Sequence, residues 1–416
     1  MIYLVILFIL IIFFMSVSLF KMNLSSPPVI YHLIWGTFVI CSYFTLKENY
    51  YFSFYGIFWI LTSSLVLSLG YSIKVNIKDY SKRNIPNIPW NLLIIFIILS
   101  LIGFVVSAMK YGISFNIFSD FNSLKSTSKM ISEQRYSGND VSSNLVEQVL
   151  NSFTYVLPLC AGYSYLYATT FKKKIIILAT LIPSILSMLV TSAKLVVVVY
   201  VILFFVSYYT SYLYLSKQFI KINFKFIIYT IISSVILYQL FYLSFVLRIG
   251  STSASLGNIV LTKLGIYGFG HIQAFDVWFE NNIHSFNELS LGGNTFLAFS
   301  SLLGLIAKKQ GIYDFISGSS TNVFTQYRAL ISDFGIFFSL IILFFLGVSL
   351  KYLYTLIITT NTRFIVTSQV IFISILFYIF YSFGSPWVYM TFVLTFLIFY
   401  FYIFTAFYIN IKLKFR

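Results

Sequence analysis

Eleven apolar runs, each long enough or nearly so to cross about 30 Å of hydrocarbon as a helix, constrain this chain more than any other feature. They lie at 2–20, 28–46, 51–73, 90–109, 148–171, 175–191, 194–213, 226–247, 333–350, 364–383 and 388–409. Backbone N–H and C=O groups in lipid must be satisfied within their own segment, and the runs lack the alternation of a barrel strand, so helices are required. Composition agrees. Only 9% of the 416 residues are charged, whereas a soluble surface needs about 25%. The chain therefore reads as a single all-α polytopic membrane domain, 1–416, with eleven or twelve spans. Its first run has no basic leader and no small-residue cleavage site and reads as a retained span.

The formal charge of +16 does not mark a nucleic-acid partner, because the cations form short groups between the apolar runs. Threading eleven spans places sixteen of the 27 Lys and Arg on one face with a single acid, Asp79, and leaves eleven cations and ten acids on the other. The positive-inside rule makes the first face cytoplasmic. The C-terminus is then inside and the N-terminus outside. Cys41 and Cys160 both sit in apolar runs, which excludes a disulfide framework and a cysteine metal site.

Two long segments face outward, 110–147 and 248–332. Loops longer than about 15 residues are uncommon unless functional or disordered, and the second carries too many apolar residues for disorder. Within it, Phe296 to Ile306 is too short to span and reads as a re-entrant or interfacial helix. Glycines at 250, 257, 265, 268 and 270 suit tight turns, close approach of backbone to a ligand or plain helix packing.

Candidate site residues gather on the outer side. Arg135, Arg248 and Arg328 stand against the positive-inside tendency, and a planar fork of donors matches phosphate oxygens bidentately. Snorkelling to lipid headgroups is the competing explanation. Lys194 sits in Thr191-Ser192-Ala193-Lys194, a turn with almost no loop between two short spans, where an ionisable group is either functional or snorkelling. Asp333 opens the ninth span, where it can cap the helix or share a site with Arg328. His271, Asp276, Glu280, His284 and Glu288 crowd one stretch and could supply a general base. The two histidines are thirteen residues apart, which matches no helical metal motif, and no metal or other cofactor is expected. His271, of a residue type with an ordinary pKa near 6.5, is better matched to neutral conditions than Asp333; His271 or a nearby carboxylate is read as the base, with Asp333 orienting Arg328 or the acceptor. Trp278 and Tyr327 suit the aromatic belt at a membrane interface. His32, alone in the second span, reads as a satisfied packing residue.

The Thr-Ser-Ala-Lys turn at 191–194, the Arg closing a span at 248–250, and Asn322-Val323-Phe324-Thr325 followed by Arg328 and Asp333-Phe334-Gly335-Ile336-Phe337 together resemble the Wzy-type oligosaccharide repeat-unit polymerases. Lys194 departs from that pattern, since relatives often carry Arg there. The resemblance implies a GT-C-like glycosyltransferase architecture in the bacterial cytoplasmic membrane, with the long outer loop carrying short membrane-associated helices and the active site facing out. It also implies polymerisation of undecaprenyl-pyrophosphate-linked repeat units into O-antigen or capsule without a metal. Partners implied are the lipid-linked donor and acceptor, membrane lipids and a chain-length regulator. Arg248, Arg328, Lys194 and Arg135 would hold pyrophosphate, His271, Asp333 and Glu280 would do the proton chemistry, and Tyr327 and Trp278 would hold sugar.

Two other classes are a flippase for lipid-linked oligosaccharides and a glycan ligase. A flippase should carry repeated halves and polar groups at the bilayer midplane, whereas the polar chemistry here lies on one outer face. The charge partition makes a direct prediction. A reporter active only outside the cytoplasm is active when fused at Asn139 or Asn287 and silent at Ser81 or Lys173; the opposite pattern inverts the topology.

Overall fold

The computed structural model describes residues 1–77, 85–110, 120–136, 145–191, 193–221, 224–249, 256–283, 289–306, 316–359 and 364–408. Among them all regular secondary structure is helical. Helices α1 (Ile2–Phe14), α2 (Pro27–Leu46), α3 (Tyr55–Ser72), α4 (Trp90–Lys110), α5 (Phe121–Tyr136), α6 (Leu145–Ser164), α7 (Phe171–Ala179) and α8 (Ile182–Thr191) come first. They are followed by α9 (Leu195–Ser216), α10 (Phe224–Ile249), α11 (Leu256–Asn282), α12 (Leu297–Leu302), α13 (Gln326–Thr359), α14 (Ile365–Phe380) and α15 (Met390–Tyr408).

Eight stretches among the described residues are long and apolar enough to cross a membrane: Ile2–Leu19, Pro27–Leu46, Tyr55–Ser72, Trp90–Met109, Phe171–Val190, Leu195–Ser216, Gln326–Thr359 and Met390–Tyr408. The chain is thus an α-helical, multi-pass membrane protein in its architecture. The runs expected at 148–171, 226–247 and 364–383 are helical too, as α6, α10 and α14, but do not enter that set. Helix α6 brings Glu147, Gln148 and Asn151 into its first turns and Pro158 into its interior, while the shorter apolar stretches are Val235–Ser244 and Ile365–Phe380.

The chain forms two compact units, Met1–Ser81 with Leu261–Met390, and Lys82–Val260 with Thr391–Arg416. In the first, α3 and α13 run parallel. Trp59 and Ser63 meet Tyr327 near the start of α13, and further along, Gly70 lies on the Phe344 carbonyl while Gly347 lies on the Leu67 carbonyl. Without lipid-excluding force between helices, close backbone approach through small residues supplies the packing energy. Helix α2 closes this group, its Trp35 Nε1 donating to the Ile379 carbonyl of α14 at 3.1 Å. His32 is satisfied as expected, by Ser64 Oγ at 3.0 Å and the Ile9 carbonyl at 2.8 Å.

The second unit follows the same rule. Gly162 of α6 sits on the Phe204 carbonyl of α9, and Ser207 and Ser211 of α9 donate to the carbonyls of Leu159 and Tyr163 at 2.6 and 2.9 Å. Helix α5 packs against α8 and α10, so the expected outer loop 110–147 contains a helix of its own.

The long loop is also more ordered than the sequence reading has it. Helix α11 runs for 27 residues, and every residue from 270 to 279 is buried, so this helix passes through the core of its unit. Its glycines lie inside the helix and not in turns. Gly270 admits the next segment, since a Cβ there would come within 2.9 Å of Ser320 Oγ, whereas one at Gly268 would meet nothing within 4 Å. Within the expected helix at 296–306 the structure has the six-residue α12, with Phe299, Leu302, Leu303 and Leu305 exposed on or just after it.

The backbone contacts give a graded prediction. Gly70→Ala and Gly347→Ala each place a methyl group on a carbonyl and lower stability by about 1–3 kcal/mol or more; Gly268→Ala, in open space within a helix, leaves it equal or slightly raised. Thermal unfolding of the purified protein in detergent measures all three, and equal midpoints for all would refute the contact.

Candidate functional site

At one end of the first unit the segments 51–57, 270–280, 289–295, 316–335 and 381–387 meet, and His271, Asp276, Glu280, Arg328 and Asp333 are here. Some of them are already committed to structure. Asp276 is fully buried, and its carboxylate accepts from Ser53 N–H at 2.7 Å, Phe54 N–H at 2.9 Å, Gly56 N–H at 2.9 Å and Ile57 N–H at 3.3 Å. It caps α3 from a different helix, satisfying donors that a helix start leaves orphaned. Burial pushes its carboxyl up, and the N–H groups of Phe54, Ile57 and Ser53, with the Ser53 hydroxyl, pull the other way. Phe54 itself adopts φ +71° to enter the helix, and Gly56 leaves 2.8 Å between its would-be Cβ and the Asp276 Cα.

Gln273 makes a second knot. Its amide donates to the Tyr51 and Gly318 carbonyls at 2.8 and 3.0 Å and accepts from Ser320 N–H at 2.8 Å. The sequence reading missed this residue. An amide inside an apolar helix segment is itself the signal, because burial requires partners.

Asp333 is a third. One carboxylate oxygen accepts from Ser290 Oγ at 2.7 Å, Asn294 N–H at 2.9 Å and Asn294 Nδ2 at 3.1 Å, and the other from Thr295 N–H at 2.6 Å. The reading of Asp333 as the residue that opens and caps its span is corrected here. Helix α13 starts at Gln326 and is broken at Gly335 (φ +77°, ψ 172°), a left-handed conformation that favours glycine. Asp333 stands just before that break and holds the 290–295 segment, whose Leu291 N–H also reaches the Asp333 carbonyl at 3.2 Å.

Arg328 has a different setting. Its guanidinium lies 4.1 Å from the Phe324 ring centre and 5.7 Å from that of Trp278, so two aromatic faces hold a half-buried cation. Five residues along a helix put Asp333 about 140° round the axis from it, and Asp333 is directed to 290–295. Trp278, 5% exposed, is therefore a platform for Arg328 more than an open sugar face. Tyr327 is not open either. It is 0% exposed among Trp35, Trp59 and Phe275, and its hydroxyl is hydrogen-bonded to that of Tyr31.

The two other acid–base candidates separate. Glu280 is on the face of α11 that carries Asp276, and accepts from Tyr51 Oη at 3.3 Å. His271 is 1% exposed between Phe38 and Phe383, ring centres 5.6 and 4.6 Å away, and neither ring nitrogen has a hydrogen-bond partner. Burial pushes its imidazole down to about 3. That removes the expected match to neutral conditions, although the ring stays neutral with a free lone pair. Thr295, Thr325, Gln326, Tyr378 and Ser382 are likewise buried with side-chain polar atoms lacking a partner.

Lys194 belongs to the second unit, half-buried directly before α9, where the Ala193 and Lys194 carbonyls accept from Val196 and Val197 N–H. The helix break expected at 191–194 is therefore present. Arg135 lies on α5 and Arg248 on α10; their side chains, like His284 and Glu288, lie outside the described residues. Comparison with protein-family models, with curated proteins and with solved structures gave no match.

The buried imidazole has a thermodynamic signature. Its folded pKa lies below its unfolded value, so the unfolded chain binds the extra proton, and stability rises with pH from about 3 to about 6.5 and is flat above. Thermal unfolding at pH 5 and pH 7.5 should differ more for the parent than for His271→Phe. An unchanged difference would place the titration elsewhere.

Proposed function

We propose that this chain is a polytopic glycosyltransferase that polymerises undecaprenyl-pyrophosphate-linked repeat units into a surface polysaccharide on the outer face of the bacterial cytoplasmic membrane. Eleven spans, a GT-C-like arrangement and a chain-length regulator as partner belong to the same reading. The observation that carries it is Arg328: a guanidinium held on two aromatic faces beside a broken helix, in the Asn322-to-Phe337 stretch that bears the family resemblance.

In the proposed step the bond from the anomeric carbon to the pyrophosphate oxygen breaks, a bond from that carbon to the acceptor hydroxyl oxygen forms, and the hydroxyl proton leaves. The departing pyrophosphate carries away the bonding electron pair, so negative charge grows where Arg328 can stabilise it. For Arg248, Lys194 and Arg135 a pyrophosphate role is what the family resemblance alone implies. As the anomeric carbon becomes electron-poor, the attacking hydroxyl becomes acidic, and a weak base suffices late in the step. His271, kept neutral by burial, takes that role. Asp276 and Asp333 position the backbone around it, and Glu280 is directed to Tyr51.

The break at Gly335 within a spanning helix favours a second reading, a transporter of lipid-linked oligosaccharide, since transporters place sites at discontinuous helices. One experiment separates the two. Purified protein given a synthetic lipid-linked repeat unit is expected to make polymer, and Arg328→Ala and Arg328→Lys to reduce it at least tenfold with normal protein level, because lysine loses the bidentate geometry. Movement of the lipid across vesicles without polymer supports the transporter, and full activity of Arg328→Lys reduces Arg328 to a snorkelling cation.

A further inference from the structure

Five side chains around the 382–385 turn carry polar atoms that are buried and unpartnered: both ring nitrogens of His271, the hydroxyls of Thr295, Thr325 and Ser382, and both ends of the Gln326 amide. Contacts place the segments that carry them at that turn. The His271 ring lies 4.6 Å from Phe383. A Cβ on Gly384 would lie 4.0 Å from the Phe324 carbonyl, next to Thr325 and Gln326. Ser385 Oγ donates to the Thr295 carbonyl at 2.7 Å. Thr325 even stands directly before α13, a position where threonine normally caps, yet its hydroxyl caps nothing.

Burying one such group without a partner costs stability, and native proteins keep orphaned polar atoms few. A cluster of them, beside well-satisfied knots at Gln273, Asp276 and Asp333, is a place where partners come from outside the chain. We propose that these five side chains form a binding site for an uncharged, polyhydroxylated ligand, a single glycosyl residue. Naming the ligand as a sugar rests on the glycosyl-transfer reading.

The chemistry selects that class. Hydroxyls, a carboxamide and a neutral imidazole each donate and accept, and a pyranose presents hydroxyls that do the same. The neighbouring carboxylate of Asp333 is engaged by Ser290, Asn294 and Thr295, so no charge in the cluster calls for a charged ligand. Phe38 and Phe383 flank His271 and offer apolar ring surface for the C–H face of a sugar. Gln326 and Arg328 both lie in the first turn of α13, on different faces of it. The atoms are shut from solvent here, so the ligand enters when the turn, which includes Gly384 at φ +87°, moves aside.

A sugar site and a structural network respond oppositely to near-isosteric apolar substitution. The test uses the full chain in detergent and the variants Gln326→Met and Ser382→Ala, singly and together. Their thermal midpoints are expected to equal the parent's or exceed it by about 2–4 °C, since orphaned groups are removed. Saturation-transfer NMR with free glucose, galactose and N-acetylglucosamine at millimolar concentration is expected to show transfer from the parent to at least one sugar, weakened at least fivefold in the double variant. Lowered midpoints would show that the atoms have partners within the chain and overturn the proposal, as would absence of sugar transfer in the parent or equal transfer in both proteins. Sugar binding without polymer formation would sink the polymerase reading and leave this site standing. Polymer formation with unchanged sugar binding in the double variant would do the reverse.

Discussion

Two buried carboxylates govern the end of the first unit where the candidate chemistry lies. Asp276 spends its oxygens on the first N–H groups of α3, and Asp333 spends its own on the 290–295 segment. Asp276 ties α11 to the start of α3 and Asp333 ties the 290–295 segment to α13, through charge-assisted bonds, which are roughly twice as strong as neutral ones. With one oxygen lost, as in either carboxamide, some of the N–H groups would stay buried and unpaired. The geometry of α11, the 290–295 segment and the first part of α13 depends on these two knots.

They also decide which groups remain for chemistry. A carboxylate whose lone pairs already accept has no free position to offer a further donor, and a histidine without solvent is held neutral. What remains is Arg328, supported by Phe324 and Trp278, and a set of neutral side chains whose hydrogen bonds are unmade. A cation held in place suits a reaction in which negative charge develops on a leaving group, since it needs no reorganisation at the moment of reaction.

The break at Gly335 connects this arrangement to the packing below it. Beyond the break α13 is fixed to α3 by the reciprocal contacts of Gly70 and Gly347, where the backbones touch. Before it, the 326–334 stretch follows Asp333 and carries Thr325, Gln326 and Arg328 at or near its start. Ser339 Oγ bridges the two parts by donating to the Leu330 and Gly335 carbonyls at 3.0 and 2.6 Å. The part beyond the break is thus packed by small residues, and the part with the polar cluster joins it through a glycine.

The sequence by itself determined the class of structure. Apolar runs of spanning length demand helices, because lipid offers the backbone no partner, and the helices fall where those runs are, including the break before Lys194 and the satisfied His32. It also marked the 271–280 and 328–333 stretches as places where polar groups concentrate. Roles within those stretches were decided by tertiary structure alone. Asp276 and Glu280 read alike in sequence, yet one caps α3 and the other meets Tyr51. Tyr327 read as an exposed ring and is enclosed by Trp35 and Trp59, and the 27 residues of α11 read as loop because their apolar and polar positions follow no single face. The reason is common to all of them: a helix buried on every side loses the periodicity that marks an amphipathic one, and the partner of a buried polar group lies tens or hundreds of residues away in the chain.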